Sequence, residues 1–221
     1  MASVATVHTL QQRITEMQPL RLDDRALPTH PGLRQLFPGG ALKKGASYAV
    51  QGSQQLALSM LSAASASGEW CGVIGCPTFS AEAATSLGIA LERLILIPAP
   101  GADALALSGT LSEILTVVLL MLPTRPSHRD VERISARLRE HGTALIVAGD
   151  WPHPESSLRV TASRWRGLGT GYGLLEEREI SVRTQDRRGI SEHTVRFTGG
   201  RIQGPAGATA AQPRLPRAVP Q

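Results

Sequence analysis

The sequence has no run of eighteen or more apolar residues, so it offers no candidate transmembrane helix. Its first residues, Met-Ala-Ser-Val-Ala-Thr-Val-His, also lack the basic stretch followed by an apolar core that is typical of a secretory signal. We therefore expect a cytoplasmic protein without a membrane partner.

Cysteine is scarce, with only Cys71 and Cys76 in the chain. Both lie on a segment with strand character, where side chains five positions apart point to opposite faces, so we expect the thiols to be buried and unpaired. Neither His nor further Cys lies nearby in sequence, and a metal site is not expected.

A third absence concerns residues 48–61, the stretch around which the chain is organised. Residues 46–50 predict a short buried strand, residues 51–55 a turn, and residues 56–67 a helix with an apolar face. This is the outline of a phosphate-binding loop. An ordinary strand, turn and helix without any history of nucleotide binding fits the same window.

The side chains that hold a phosphate are missing from this outline. Such a loop needs glycines for close backbone approach, a Lys for the phosphate oxygens and a Ser or Thr hydroxyl for magnesium. Counting from Gly52 through the spacing G-x-x-x-x-G-K-[ST] places Ala57 at the second glycine, Leu58 at the lysine and Ser59 at the hydroxyl. An aliphatic side chain cannot replace the charge-assisted bonds of the lysine.

The composition indicates one main domain whose excess charge lies near the C-terminus. The chain has 221 residues, of which 42% are hydrophobic, enough for a full core. Residues 180–221 carry seven arginines against Asp186 and Glu192, which accounts for the net charge of +5. A basic segment favours an anionic partner such as nucleic acid, and solubility alone is the other explanation.

The N-terminal segment predicts an amphipathic helix over residues 6–18. Val7, Leu10, Ile14 and Met17 form one apolar stripe, and Pro19 ends the helix. The stripe can pack on a partner or fold back on its own domain.

Residues 30–198 form the predicted core domain, after a helix and connector at residues 1–29. Continuous apolar runs separated by helical segments predict a parallel β-sheet covered on both faces, an α/β fold. The predicted strands are residues 70–76, 94–97, 116–122 and 143–148, and the predicted helices are residues 80–87, 103–115 and 127–141.

After residue 154 the pattern changes to alternation of apolar and polar residues. Residues 157–165, 179–185 and 193–197 predict a β-meander that extends one edge of the sheet. Residues 199–221, rich in Gly, Pro and Ala, predict a disordered basic tail.

The order of these pieces resembles the RecA family, and most closely its diverged ImuA-type relatives from bacterial mutagenesis cassettes, in particular the actinobacterial form. The resemblance is strongest in three segments, residues 36–42, 45–52 and 158–169, and it covers about residues 30–185. It implies a RecA-like, mostly parallel sheet flanked by helices, with an antiparallel extension on the C-terminal side.

Carried over residue by residue, the ATPase parts of the RecA pattern are absent. Leu58 stands at the lysine, residues 75–80 hold no carboxylate where a water-activating glutamate is expected, and residues 117–122 are wholly apolar where a metal-linked aspartate is expected. Asp150 is the one candidate left for the polar residue that senses nucleotide. The resemblance therefore implies a protein that is not an enzyme, with no catalytic residue, cofactor or metal.

The function that this resemblance implies is a scaffold in SOS-induced, error-prone translesion DNA synthesis. Its partners would be a Y-family-like polymerase homologue (ImuB-type) and an error-prone replicative-type polymerase, with DNA and self-association as further contacts. The helix residues Leu10, Ile14 and Met17 are the candidates for partner docking. The candidates for contact with DNA or an acidic segment are Arg183, Arg187, Arg188, Arg196 and Arg201.

Two alternatives belong to other functional classes. One is a RecA-type ATPase with an unorthodox site made of Gly52, Ser59, Glu82 and Asp150. The other is a cell-division inhibitor that resembles the SulA family and blocks a tubulin-like filament protein.

Overall fold

A computed structural model describes residues 25–122, 124–167 and 176–204. The strands are β1 (Ala26–Leu27), β2 (Leu42–Lys43), β3 (Ser47–Gln51), β4 (Cys71–Ile74), β5 (Leu94–Ile97), β6 (Val117–Met121), β7 (Ala144–Ala148), β8 (Ser156–Arg166), β9 (Glu177–Asp186), β10 (Gly189–Thr198) and β11 (Arg201–Ile202). Within the described residues, β1 and β2 form a small antiparallel pair, and the other strands form one sheet in the order β11-β10-β9-β8-β3-β7-β6-β4-β5.

The half of this sheet from β3 to β5 is parallel. Its inner strands β3, β7, β6 and β4 are buried on both faces, as the continuous apolar runs predict, whereas the edge strand β5 is only partly buried. In β7, Ala144 and Ile146 face one apolar cluster, the first core, while Leu145 and Val147 face another, the second core. The predicted α/β class is confirmed, because a mostly parallel sheet lies between two layers of helices.

The helices are α1 (Gln54–Ser59), α2 (Ser62–Ala66), α3 (Ala81–Ser86), α4 (Ala104–Leu111) and α5 (His128–His141). The first three cover the first core, and α4 and α5 cover the second. Short 3-10 turns lie at Pro31–Leu36, Pro38–Gly40, Leu91–Arg93 and Gly101–Asp103. The helix predicted at residues 127–141 is confirmed with its ends: the Ser127 hydroxyl accepts from the Asp130 amide at 3.2 Å, and Gly142 adopts the left-handed conformation.

The helix predicted at residues 56–67 begins two residues earlier, at Gln54, and is divided into α1 and α2 by Met60 and Leu61, which keep a right-handed helical backbone. Its predicted apolar face is confirmed, because Leu56, Met60, Leu61 and Ala64 all belong to the first core. Two serine hydroxyls donate to carbonyls three residues earlier: Ser59 to Leu56 at 2.6 Å and Ser62 to Ser59 at 2.7 Å. The amide of Leu61 bonds to the carbonyl of Leu58, three residues back. Bonds of this kind tighten a helix and compete with its regular pattern.

The other half of the sheet is the antiparallel extension predicted from alternation. Strand β8 runs parallel to β3 over Ser156–Arg159, and then β8, β9, β10 and β11 pair in antiparallel fashion. The predicted start of the disordered tail at Gly199 is wrong, because Arg201–Ile202 pairs with Phe197–Thr198 and Ile202 is buried in the first core.

The two cysteines are buried and free, as predicted, but they do not point to opposite faces. Both belong to the first core. Strand β4 ends at Ile74 and Gly75 turns the chain with φ of +78°, so the two-residue alternation stops before Cys76. Burial raises the pKa of the Cys71 thiol to about 12.

Two predicted segments lie outside the described residues, namely the helix at residues 6–18 and the tail from residue 205 onward. Across the parts of the chain that the structure describes, no helix combines the length and the apolar character needed to cross a membrane.

Gly75 is predicted to be essential for the stability of the parallel half. A Cβ at this position would lie 2.2 Å from the carbonyl oxygen of Met121, so Gly75→Ala must displace backbone and should lower the free energy of unfolding by at least about 3 kcal/mol. Gly88→Ala is the control, since Gly88 has a similar φ of +87° and open space around it, and should cost about 1 kcal/mol. Urea unfolding of both variants measures the difference, and equal losses would contradict the close contact.

Candidate functional site

The carboxyl ends of β3, β6 and β7 meet at a cavity of about 480 Å³. Its wall is formed by Gln51, Gly52 and Ser53 at the end of β3, by residues 148–150 at the end of β7, and by Met121 and Arg159. Ligands of open α/β sheets bind outside the carboxyl ends of the parallel strands. This cavity is therefore the candidate site, and it contains the turn that the sequence pattern singles out.

The turn itself is only two residues long, because β3 ends at Gln51 and α1 begins at Gln54. Gly52 has φ of +83°, and a Cβ there would lie 3.3 Å from the carbonyl oxygen of Val160. The Ser53 hydroxyl accepts from the amide of Leu56 at 3.1 Å. The serine thus satisfies one of the few amide groups that this short turn could offer to an anion.

The residues that stand at the lysine and hydroxyl positions do not face the cavity. Leu58 is 4% exposed and belongs to the first core. Ser59 is 0% exposed, and its hydroxyl already donates to the carbonyl of Leu56. Both side chains are part of the packing of α1 against the sheet.

The polar groups that do line the cavity form a sparse set. Asp150, the position that the RecA resemblance implies for a nucleotide-sensing residue, lies beside Gly52 after the carboxyl end of β7 and accepts a hydrogen bond from the Gln51 side chain. Arg159 is the cation of this wall. Within the described residues, no three His, Cys, Asp or Glu side chains cluster as metal ligands. These residues do not fit magnesium ATP, which needs cations and hydroxyls aimed at its phosphates.

The four residues of the alternative ATPase site are not brought together. Gly52 and Asp150 share the cavity, while Ser59 is fully buried within α1 and does not line it. Glu82 lines a second cavity of about 540 Å³, between α3 and the end of β8. Leu58 also reaches the wall of that second cavity.

The two tryptophans of the site region pack differently. Trp151 is 5% exposed in the second core, and its indole donates to the Ser47 hydroxyl at 3.1 Å. Trp165 is 49% exposed at the rim of the second cavity. The Arg178 guanidinium lies 5.2 Å from the centre of its ring and donates to Gln55 at 2.9 Å.

Four of the five arginines predicted to contact DNA are held in ion pairs. The pairs are Arg183 with Glu192 at 2.9 Å, Arg187 with Glu155 at 3.1 Å, Arg188 with Asp186 at 2.9 Å, and Arg196 with Glu179 at 2.8 Å. Hydrogen bonds from Arg188 hold the pKa of Asp186 below its usual range. Arg201 is exposed on β11. A paired guanidinium must break its existing contact before it binds a phosphate, so these positions are weaker candidates than their charge implies.

Sequence reasoning missed another set of cations, Arg159, Arg164 and Arg166 on β8. All three are exposed, and in the described residues their side chains make no hydrogen bond or ion pair. The sequence shows that residues 158–169 contain several arginines. Which face of the sheet they lie on depends on how β8 pairs with its neighbours, and this could not be predicted from the sequence. The docking candidates Leu10, Ile14 and Met17 lie outside the described residues.

The chain is similar to a known protein family and to a curated protein. The family model for the MT3502 N-terminal domain matches residues 35–153. The uncharacterized protein Rv3395c of Mycobacterium tuberculosis (strain ATCC 25618 / H37Rv) is 34% identical over 120 residues, which are 52% of this chain and 59% of that protein. The chain thus aligns with about three fifths of its relative. The family match includes the carboxyl ends of β3, β6 and β7 and stops before β8 begins.

Leu58→Lys tests whether the buried leucine is a structural position rather than a vacant phosphate site. The charged side chain would have to enter the first core or turn toward the second cavity, so we expect the free energy of unfolding to fall by at least about 2 kcal/mol. Leu58→Met, which keeps the volume, should cost less than about 1.5 kcal/mol. Denaturant titration measures both values. A lysine variant as stable as the methionine variant would contradict the assignment.

Proposed function

The chain belongs to the MT3502 N-terminal domain family, and on that premise we propose that it is a RecA-like accessory protein that has no ATPase activity. It acts as a scaffold in SOS-induced, error-prone translesion DNA synthesis. It docks on a Y-family-like polymerase homologue and on an error-prone replicative-type polymerase. This role places the protein in the cytoplasm, with the DNA.

The RecA-like part of the proposal is supported by the order of elements. A parallel sheet begins with β3, whose carboxyl end leads through the Gly52 turn directly into a helix, and an antiparallel extension follows β7. The ImuA-type resemblance at residues 36–42 and 45–52 lies within the region that matches the family. The curated relative is named as an uncharacterized protein, and the pathway is inferred from the ImuA-type resemblance.

The absence of ATPase activity is supported above all by the position of Leu58. In a phosphate loop the lysine side chain must reach the β and γ phosphates. Here this position is buried in the first core and borders the second cavity. A lysine side chain at residue 58 would therefore not extend into the cavity beside Gly52. The cavity beside Gly52 keeps one carboxylate and one guanidinium, which is too little to hold a nucleotide and a metal ion.

Docking on partner proteins is proposed for the stripe Leu10, Ile14 and Met17. These side chains recur on one face of the predicted helix at residues 6–18. An apolar stripe on a helix that precedes the core domain can lie in a groove of a partner. The same surface would serve self-association with a second copy.

Magnesium ATP is expected to leave the melting temperature of the purified protein unchanged. A ligand at a hundred times its Kd would stabilise the fold by about 2.7 kcal/mol, an effect that thermal unfolding detects readily. A RecA-type ATPase with a complete phosphate loop serves as the positive control. A rise in melting temperature that depends on the ATP concentration would favour the alternative function, a RecA-type ATPase with an unorthodox site, over the proposed scaffold.

The tagged protein is expected to co-purify with a DNA polymerase homologue from cells treated with a DNA-damaging agent. The double substitution Leu10→Asp and Ile14→Asp should remove this partner, because it places two charges on the apolar stripe, while the melting temperature stays unchanged. Gln11→Asp and Gln12→Asp place two charges on neighbouring positions of the same segment and form the control. Recovery of a tubulin-like protein in place of a polymerase would favour the SulA-type alternative instead.

A further inference from the structure

We propose that the open face of the antiparallel half binds the phosphate backbone of single-stranded DNA along a file of arginines on β8. This arginine file consists of Arg159, Arg164 and Arg166. The inference rests on the proposed function, since a scaffold for synthesis on a damaged template works beside a single strand. It assigns that contact to residues other than the arginines expected from the sequence.

A β-bulge brings the arginine file onto one face. Arg159 and Arg164 are five positions apart, and in a regular strand they would point to opposite sides of the sheet. The pairing of β8 with β9 shifts between Val160 and Ala162, so Thr161 has no partner in the register. A bulge of this kind adds one residue to a strand and re-aims the side chains beyond it.

The partners on β9 establish which face this is. Arg159, Arg164 and Arg166 lie opposite Arg183, Glu179 and Glu177, which are alternate positions of a regular strand and therefore share one face. The residues between them, Ile180 and Val182, are buried in the first core. The arginine file thus lies on the face that points away from the first core.

Neighbouring carboxylates leave the arginine file with net positive charge. On this face of β9 and β10, Glu192 is paired with Arg183 and Glu179 with Arg196. The hydrogen bond from Arg196, together with the charges of Arg166 and Arg164, lowers the pKa of Glu179. Glu177 also lies on this face, opposite Arg166. Five arginines, at positions 159, 164, 166, 183 and 196, therefore face three glutamates, at positions 177, 179 and 192, which leaves an excess of two positive charges for an external anion. Guanidinium is the side chain best matched to phosphate.

The shape of the surface favours one strand of DNA over a duplex. The pairing of β8 with β3 ends at Arg159, and beyond it the described part of β8 pairs only with β9, so Arg164 and Arg166 lie along a free edge. On β9 the file extends over the six residue steps from Arg183 to Glu177, which at about 3.4 Å per step correspond to about 20 Å. A duplex would need cations on both sides of a groove, whereas here the neighbouring rows on β9 and β10 contain Glu177, Glu179 and Glu192.

No aromatic side chain belongs to the arginine file. Trp165 lies opposite Arg178, on the other face of β8. Binding therefore lacks the base stacking that gives many single-strand binding proteins their affinity. We expect an interaction that depends on the backbone alone, is indifferent to base sequence and weakens steeply with salt.

The test is the salt dependence of binding to a fluorescent thirty-nucleotide oligothymidine, followed by anisotropy with the full-length protein. The triple variant Arg159→Gln, Arg164→Gln and Arg166→Gln should bind about tenfold more weakly or worse at low salt. The slope of log K against log salt should fall in magnitude by about 2, because each phosphate contact on a single strand contributes about 0.7. The melting temperature should not change, since all three side chains are exposed.

A charge-matched control separates the arginine file from net charge. The variant Arg129→Gln, Arg187→Gln and Arg188→Gln also removes three positive charges, from α5 and from the turn between β9 and β10. For this control, the slope of log K against log salt should differ from the wild-type slope by no more than about 1, and the affinity for the oligothymidine should stay within about threefold of the wild-type affinity. Equal losses in both triple variants, or no loss in either, would overturn the proposal.

Two competitors identify the anion. Unlabelled oligothymidine should displace the probe more effectively than a duplex of the same length or polyglutamate. Stronger displacement by the duplex would overturn the assignment to a single strand, and stronger displacement by polyglutamate would point to an acidic protein segment. Co-purification of the file variant with the polymerase partner should persist. Its loss would instead place these arginines in the protein interface, so failure of this inference is distinguishable from failure of the proposed function.

Discussion

Burial of the parallel strands on both faces is the constraint on which the rest of this structure depends. In β7, neighbouring residues such as Leu145 and Ile146 belong to different cores, so neither face can carry a charge without burying it. Polar chemistry is therefore confined to the ends of the strands. The carboxyl ends supply the turn at Gly52 and the side chain of Asp150, and the candidate cavity lies between them.

The same packing explains why this cavity is poor in phosphate ligands. A turn of two residues passes directly into α1, whose first turn is capped by Ser53. Leu58 and Ser59 then face the interior, because α1 must cover the first core immediately after the turn. Substitution of single residues would not restore a nucleotide site here, since the backbone no longer presents those positions to the cavity.

The antiparallel half follows a different rule, because only one of its faces is buried. Ile180 and Val182 contribute to the first core, while the opposite side chains of β9 are free to be charged. Some of that charge is neutralised within the sheet, as in the pair of Arg196 with Glu179. The arginines of the arginine file, unpaired within the described residues, lie on β8, beyond the region that matches the family model.

Hydrophobic periodicity alone determined the class of the fold and the position of most elements, because continuous apolar runs and alternating runs have different burial requirements. The RecA resemblance, and not periodicity, pointed to Asp150, and the structure places this residue beside the Gly52 turn. Only the tertiary structure decided where Leu58 points, because α1 packs on the first core directly after the turn and Leu58 is buried in that contact. The tertiary structure also decided which arginines have no ion-pair partner among the described residues, because the carboxylates that pair with them lie on neighbouring strands. In addition, the bulge at Thr161 places Arg164 on the opposite face from the one that regular alternation would give it.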